Sequence, residues 1–216
     1  MATPSPSPDQ QPVRLVPRAG EPAVGPPAGD PAMVALPSFV VGSVALGMVL
    51  IGVVPATAVG ASMPIIIAAA AGMFLATIWA ARIGQNASAG ITGVFGSFFL
   101  SYALLVLGLM HNWYGIAPTA VADTQKMFVI SWIAIVTMLV LISVRLPMIY
   151  GLLFVLIDVS LVLNLLGIIQ NSTNLAKAAG WVLMAVAATI VYLFLGAASH
   201  DTGGKELPLG PPILHA

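Results

Sequence analysis

Six long runs of apolar residues, separated by short polar segments, fill most of the chain after its first 33 residues. Each run approaches or exceeds the roughly 20 residues that an α-helix needs to cross the hydrocarbon core of a bilayer. Helices are expected because lipid provides no water to satisfy the backbone groups of an open strand edge. The pattern predicts an all-α, polytopic membrane protein whose six transmembrane helices lie at 36–55, 64–81, 90–110, 128–144, 148–170 and 178–198.

The two ends of the chain lack this pattern. Residues 1–33 are rich in Pro and Gly and contain few large apolar side chains, so they cannot bury a core. We predict a disordered tail at 1–33, a six-helix transmembrane domain at 34–199 and a short C-terminal tail at 200–216. The distribution of Lys and Arg predicts that both tails are cytoplasmic. In this orientation Arg14, Arg18, Arg82, Arg145 and Lys205 lie inside, and Lys126 and Lys177 lie outside.

Composition narrows the class of function. Only 6% of the residues are charged, and seven basic residues balance seven acidic ones, so no excess charge indicates a nucleic-acid partner. Cys is absent and the three His residues are scattered, so we expect no metal site and no cofactor. The sequence also lacks a Gly-rich phosphate loop and a Ser/His pair within a span, so we expect no enzymatic activity. A channel or permease for a small solute remains.

One acidic residue, Asp158, lies in the middle of the fifth apolar run. An ionised Asp at the centre of a membrane helix costs about 2.5–3.5 kcal/mol on the insertion scale, and each Leu, Ile, Val or Phe returns about 0.3–0.6 kcal/mol. The run 148–170 contains enough of these residues to insert despite its acid. Its own helix offers Asp158 no polar partner on the same face, so a partner must come from another helix or subunit.

Two interpretations of Asp158 stay open. Intramembrane acids commonly lie on transport pathways, where this residue would bind a proton or act as a polar site. Alternatively, it is a protonated acid that forms a hydrogen bond between helices. Asn164 is a weaker case of the same kind, and it does not share the helix face of Asp158 because six residues correspond to about 600° of rotation.

Four segments, in order, resemble one known family, the YaaH-type acetate uptake transporters, also called succinate-acetate permeases. DPAMVAL at 30–36, followed by Phe39, resembles the family's entrance motif Asn-Pro-Ala-Pro-Leu-Gly-Leu. GITGVFGSFFLSYALLVL at 90–107 is similar to the third span and AAGWVLMAVAATIVY at 178–192 to the last span. ELPLG at 206–210 resembles the C-terminal Leu-Pro-Leu-Gly. The matching positions outside the constriction are Asp30, Pro31 and Leu36 at the entrance, and Asn86, Thr92, Gly96, Ser97, Trp181 and Tyr192 in the pathway or in helix packing.

The resemblance implies a homo-hexamer in the bacterial inner membrane, in which each protomer transports acetate or a related, succinate-like carboxylate as a channel or proton-linked permease. It also implies an apolar constriction at Phe39, Phe95 and Ile157. Such a constriction excludes hydrated ions and favours a small solute that can shed its water. Ordinary packing or lipid contact is the alternative interpretation of the two Phe residues.

The chain also departs from the family pattern. Asp30 replaces the entrance Asn, Phe95 stands where a Tyr is common, and Ala81 occupies the position of a frequent Glu at the end of the second span. We hypothesise that Asp158 takes over a proton-linked role of that Glu. Asp158 follows the constriction position Ile157, so it is turned about 100° around the helix, toward either the pathway or a neighbouring helix.

Two other functions remain open from the sequence. Divergence at the entrance motif is compatible with a pore for another small neutral or weakly acidic solute. A non-transporting membrane scaffold or sensor that signals through the Pro-rich tail is the alternative from a different class. The tail lacks a Pro-x-x-Pro motif with a flanking Arg, which a polyproline ligand normally provides.

Overall fold

The computed structural model describes residues 29–205 and 207–214, so residues 1–28 of the predicted tail at 1–33 lie outside them. The last two residues of that predicted tail, Ala32 and Met33, are helical. Six helices are long and apolar enough to cross a membrane, and the described residues contain no strand, which confirms the predicted all-α membrane fold. Short 3-10 helices at Ala56–Ser62 and Pro118–Ala120 precede the second and fourth of them. The six are α1 (Ala32–Ile51), α2 (Met63–Arg82), α3 (Asn86–Met110), α4 (Val121–Ser143), α5 (Met148–Ile169) and α6 (Thr173–Asp201).

Helix ends differ from the apolar runs where local capping overrides hydropathy. α1 begins four residues earlier than the first run because the Asp30 carboxylate accepts a hydrogen bond from the Ala32 N–H at 2.9 Å. It stops at Ile51 instead of continuing to residue 55, since Gly52 adopts a left-handed conformation with φ 87°. α6 begins at Thr173, well before residue 178, where the Ser172 hydroxyl accepts a hydrogen bond from the Leu175 N–H.

The six helices form a ring. Going around it, the neighbours are α3, α2, α1, α6, α5 and α4, and the ring closes where α3 and α4 contact each other only lightly. Successive helices alternate in direction, so the bundle has two ends. We call the end that carries residues 29–31 and the C-terminal segment the tail end, and the end that carries residues 111–120 the loop end.

Small residues bring neighbouring helix backbones together, since a Gly lets a second helix approach closely. A Cβ on Gly180 of α6 would lie 2.8 Å from the backbone N of Ile51 and 2.9 Å from the carbonyl O of Gly47, both in α1. A Cβ on Gly72 of α2 would collide with the side chain of Ser38 in α1. These contacts bring α2 and α6 close to α1 on its two sides.

The C-terminal segment 207–214 folds back over the tail end. The Tyr192 hydroxyl of α6 donates to the carbonyl O of Pro208 at 2.8 Å, and the Ile149 N–H donates to the carbonyl O of Leu209 at 3.2 Å. The Leu214 N–H donates to the carbonyl O of Val144 at 2.9 Å. These bonds tether the segment to α6, to α5 and to the end of α4, so this part of the predicted tail at 200–216 packs on the bundle.

Candidate functional site

A cavity of about 160 Å³ lies inside the ring, mainly between α1, α3, α4 and α5. We call it the central cavity. An engineered protein cavity of about 150 Å³ binds benzene, so a space of this size can hold a ligand of several heavy atoms. Its walls are mostly apolar, and no Lys, Arg, Asp or Glu is among the described residues that line it. The residues that line it include Phe39, Ser43, Phe95, Phe98, Phe99, Tyr102, Phe128, Trp132, Ile157, Ser160 and Asn164.

Aromatic rings close the cavity toward the tail end. The ring centroids of Phe39 and Phe95 are 4.5 Å apart, and Phe39 also contacts Phe99 edge-on at 5.7 Å. Phe154 stacks on Phe95 from the tail side at 6.1 Å. Phe39, Phe95 and Ile157 are buried, and each is the cavity-lining residue nearest the tail end on its own helix. The structure thus brings together the three positions of the predicted constriction.

Polar groups line the cavity on the loop side of this constriction. The Ser160 hydroxyl donates to the carbonyl O of Ala179 at 2.9 Å, which joins α5 to α6. Ser43 is fully buried, and its Oγ has no hydrogen-bond partner among the described residues. The side chains of Tyr102 and Asn164 also reach the cavity wall. An otherwise apolar space therefore contains several polar groups.

The light contact between α3 and α4 is sealed by aromatic side chains. Phe98 and Tyr102 of α3 meet Phe128 and Trp132 of α4, with the Phe98 and Trp132 centroids 5.2 Å apart. An outward-facing groove lies on the other side of this cluster, and its floor includes Phe128 and Trp132. Since the same two side chains line both the cavity and the groove, the wall at this edge is one side chain thick.

The predicted entrance residues lie at the tail end, on the other side of the constriction. Asp30 and Leu36 line an open depression of about 640 Å³ that the C-terminal segment also borders, and Pro31 is buried beside it. Leu36 and Phe39 are three residues apart on α1, so they share one face of the helix. This face connects the depression to the constriction, and the two spaces lie on opposite sides of the aromatic rings.

Asp158 is not among the residues that line the central cavity. Its carboxylate accepts from the Thr137 hydroxyl of α4, at 3.3 Å to Oδ2 and 3.4 Å to Oδ1. The predicted partner on another helix is therefore present within the protomer. Ile157, the preceding residue, faces the cavity, so the rotation of one residue directs Asp158 toward α4 instead.

Three predicted pathway or packing positions lie on α3 away from the cavity lining. The Thr92 hydroxyl is 2.9 Å from that of Thr77, so the pair joins α3 to α2. Gly96 is buried against α2, where a Cβ would lie 3.1 Å from the Met73 Cβ. Ser97 lies in the outward-facing groove. The structure places the first two positions in helix packing.

The remaining three positions lie near the surface. Asn86 is exposed at the start of α3. Trp181 is 64% exposed on the outside of α6, where lipid or another protomer would contact it. Tyr192 holds the C-terminal segment through its bond to Pro208. None of these three lines the central cavity.

Several cavity residues did not emerge from the sequence. Phe99 and Tyr102 follow Phe95 by four and seven residues, so helical spacing places all three on one face of α3. The same spacing relates Ser43 to Phe39 on α1. Once Phe39 and Phe95 are placed in a pathway, this periodicity is the signal that identifies the others.

Comparisons with known proteins agree with this architecture. A solved structure described as that of the bacterial acetate channel SatP has a TM-score of 0.73 to this chain, with 18% sequence identity, and the match covers 84% of this chain and 99% of that one. At this identity the likeness shows the fold. No curated protein sequence matches the chain significantly. The GPR1/FUN34/yaaH family model matches residues 15–203, which confirms the resemblance seen in the motifs. The chain therefore belongs to the GPR1/FUN34/yaaH family.

Proposed function

We propose that the protein transports acetate or a closely related small carboxylate across the cytoplasmic membrane, as a channel or proton-linked permease. The observation that carries the proposal is the closed pair of Phe39 and Phe95 rings, 4.5 Å apart, at the base of an uncharged cavity between the helices. Family membership and the fold shared with a protein described as an acetate channel support the same function.

The geometry is suited to a small solute. Stripping water from an ion to enter an apolar space is costly, and the described cavity lining has no cation to offset the cost for a large or multiply charged anion. A carboxylate of two or three carbons needs few donors and occupies little volume. Passage requires the contacting rings to separate, and such a motion is available to side chains without a change of fold.

The assembly and orientation are part of the proposal. Six protomers form a homo-hexamer, each with its own pathway, and both termini are cytoplasmic, so the tail depression faces the cell interior. The family resemblance supports the hexamer, and the distribution of Lys and Arg supports the orientation.

Uptake of labelled acetate into liposomes that contain the purified protein tests the proposal. We expect flux down an acetate gradient and no flux in protein-free liposomes. Other small carboxylates should inhibit this flux, and their inhibition should weaken as their size increases. Flux of an uncharged solute of similar size without any flux of acetate would favour a different pore. Vesicles that stay sealed to every small solute would contradict transport altogether.

A further inference from the structure

Ser43 has an unusual environment for a hydroxyl within a membrane helix. It is fully buried, and its Oγ has no hydrogen-bond partner among the described residues. Other buried hydroxyls in the bundle are paired: Ser160 donates to the carbonyl O of Ala179, and Ser143 donates to that of Val140. Since burying an unpaired hydroxyl costs free energy, the position of Ser43 needs an explanation.

The hydroxyl lies where a solute would wait before the constriction. Ser43 lines the central cavity four residues after Phe39, which is about 6 Å further along the axis of α1 toward the loop end. Asn164 and Tyr102 line the same cavity seven residues after Ile157 and Phe95, which is about 10 Å further along α5 and α3. Polar groups therefore occur at two successive levels above the aromatic rings.

We infer that Ser43 donates a hydrogen bond to the carboxyl group of the solute on the loop side of the Phe39 and Phe95 rings. Asn164 and Tyr102 lie nearer the loop end, where they supply donors before the solute reaches Ser43. The inference deepens the proposed function and rests on it. The hydroxyl replaces one of the water molecules that the carboxyl group loses before the constriction. A single neutral donor holds the solute loosely, so the solute can leave again.

The first test is the concentration dependence of acetate uptake by the Ser43→Ala variant in liposomes. Loss of one hydrogen bond is expected to raise the half-saturating acetate concentration roughly three- to tenfold. Ser43→Thr keeps a hydroxyl and is expected to stay closer to the unaltered protein. The matched control is Ser38→Ala on the same helix, since the Ser38 hydroxyl donates to the carbonyl O of Val34 and does not line the cavity.

The second test does not depend on transport. The chain contains no Cys, so Ser43→Cys places a single thiol in the protein. Methyl methanethiosulfonate is small enough to reach it through the cavity, and acetate is expected to slow its labelling, with half-protection near the half-saturating concentration for uptake. Ser101→Cys is the control, because Ser101 lies in the outward-facing groove, and acetate should not change its labelling rate.

An unchanged half-saturating concentration for Ser43→Ala would overturn the inference, and so would labelling of Ser43→Cys that acetate does not slow. A hydroxyl that only holds water would produce the first of these results. If the unaltered protein transports acetate while either result is found, the proposed function stands and only the role of Ser43 is lost. If the unaltered protein transports no carboxylate, the proposed function itself fails.

Discussion

At the scale of single residues, we propose that the aromatic pair at the base of the cavity controls what can pass. Replacing Phe39 or Phe95 with Ala removes a ring from a contact of 4.5 Å and widens the constriction. We expect each variant to admit longer carboxylates, such as butyrate, that the unaltered protein excludes. Uptake of a homologous series of labelled acids measures this cutoff. Phe194→Ala is the control, because Phe194 does not line the cavity, and an unchanged cutoff in the Phe39 and Phe95 variants would place the pathway elsewhere.

The position of Asp158 supports its structural interpretation. Its carboxylate bonds to Thr137 and does not line the cavity, and Asn can accept the same hydrogen bond. We therefore expect Asp158→Asn to leave the pH dependence of acetate uptake unchanged, whereas Asp158→Leu leaves Thr137 unpaired and lowers the unfolding temperature in detergent. A pH profile that becomes flat in Asp158→Asn would instead establish a proton site.

The sequence predicted a constriction but not the polar groups that line the cavity beside it. Phe39, Phe95 and Ile157 were found because they match family positions, and the structure brings them together. Ser43 was missed because a Ser in a membrane helix usually bonds to the backbone of its own helix, as Ser38 does. Only the three-dimensional arrangement shows that its hydroxyl lacks such a bond.

At the scale of the helices, α1 and α6 depend on a close backbone contact. Gly180→Ala would place a Cβ 2.8 Å from the backbone N of Ile51 and 2.9 Å from the carbonyl O of Gly47, and backbone atoms cannot rotate away. We expect the substitution to destabilise the protein by about 1–3 kcal/mol. Thermal unfolding in detergent measures the effect. Gly90→Ala is the matched control in α3, since a Cβ there meets nothing within 4 Å, and equal stability of the two variants would contradict the close contact.

The C-terminal segment depends on the end of α6. Tyr192→Phe removes the hydrogen bond to the carbonyl O of Pro208 and loosens the segment from the bundle. We expect faster cleavage of the last residues by a protease while the six helices stay intact. Tyr114→Phe removes a similar bond, to Leu104 at the loop end, and should leave this cleavage rate unchanged. Equal rates for the Tyr192 variant and the unaltered protein would show that other contacts hold the segment.

Hydropathy predicted the existence and number of the helices but not all of their ends. The six apolar runs are unmistakable because each must satisfy its backbone within lipid. α4 begins at Val121, before the apolar run at 128, and its first turns contain Asp123 and Lys126, which form an ion pair of 2.9 Å. Such turns are helical without being apolar, so a hydropathy pattern omits them.

At the scale of the whole molecule, we expect the purified protein to assemble as a homo-hexamer. The mass in a mild detergent, after subtraction of the detergent, should be six times the 22.2 kDa of the chain. Native mass spectrometry or light scattering measures it. A protein that stays monomeric in detergent and also gives no cross-linked oligomers in liposomes would contradict this assembly.

The thin aromatic wall between α3 and α4 has a mechanical consequence. Phe128 and Trp132 border the cavity on one side and the outer groove on the other. An acyl chain or an adjoining protomer in that groove would contact rings that also line the central cavity. We therefore expect a change in what fills the groove to reach the cavity through these two side chains, without movement of a helix.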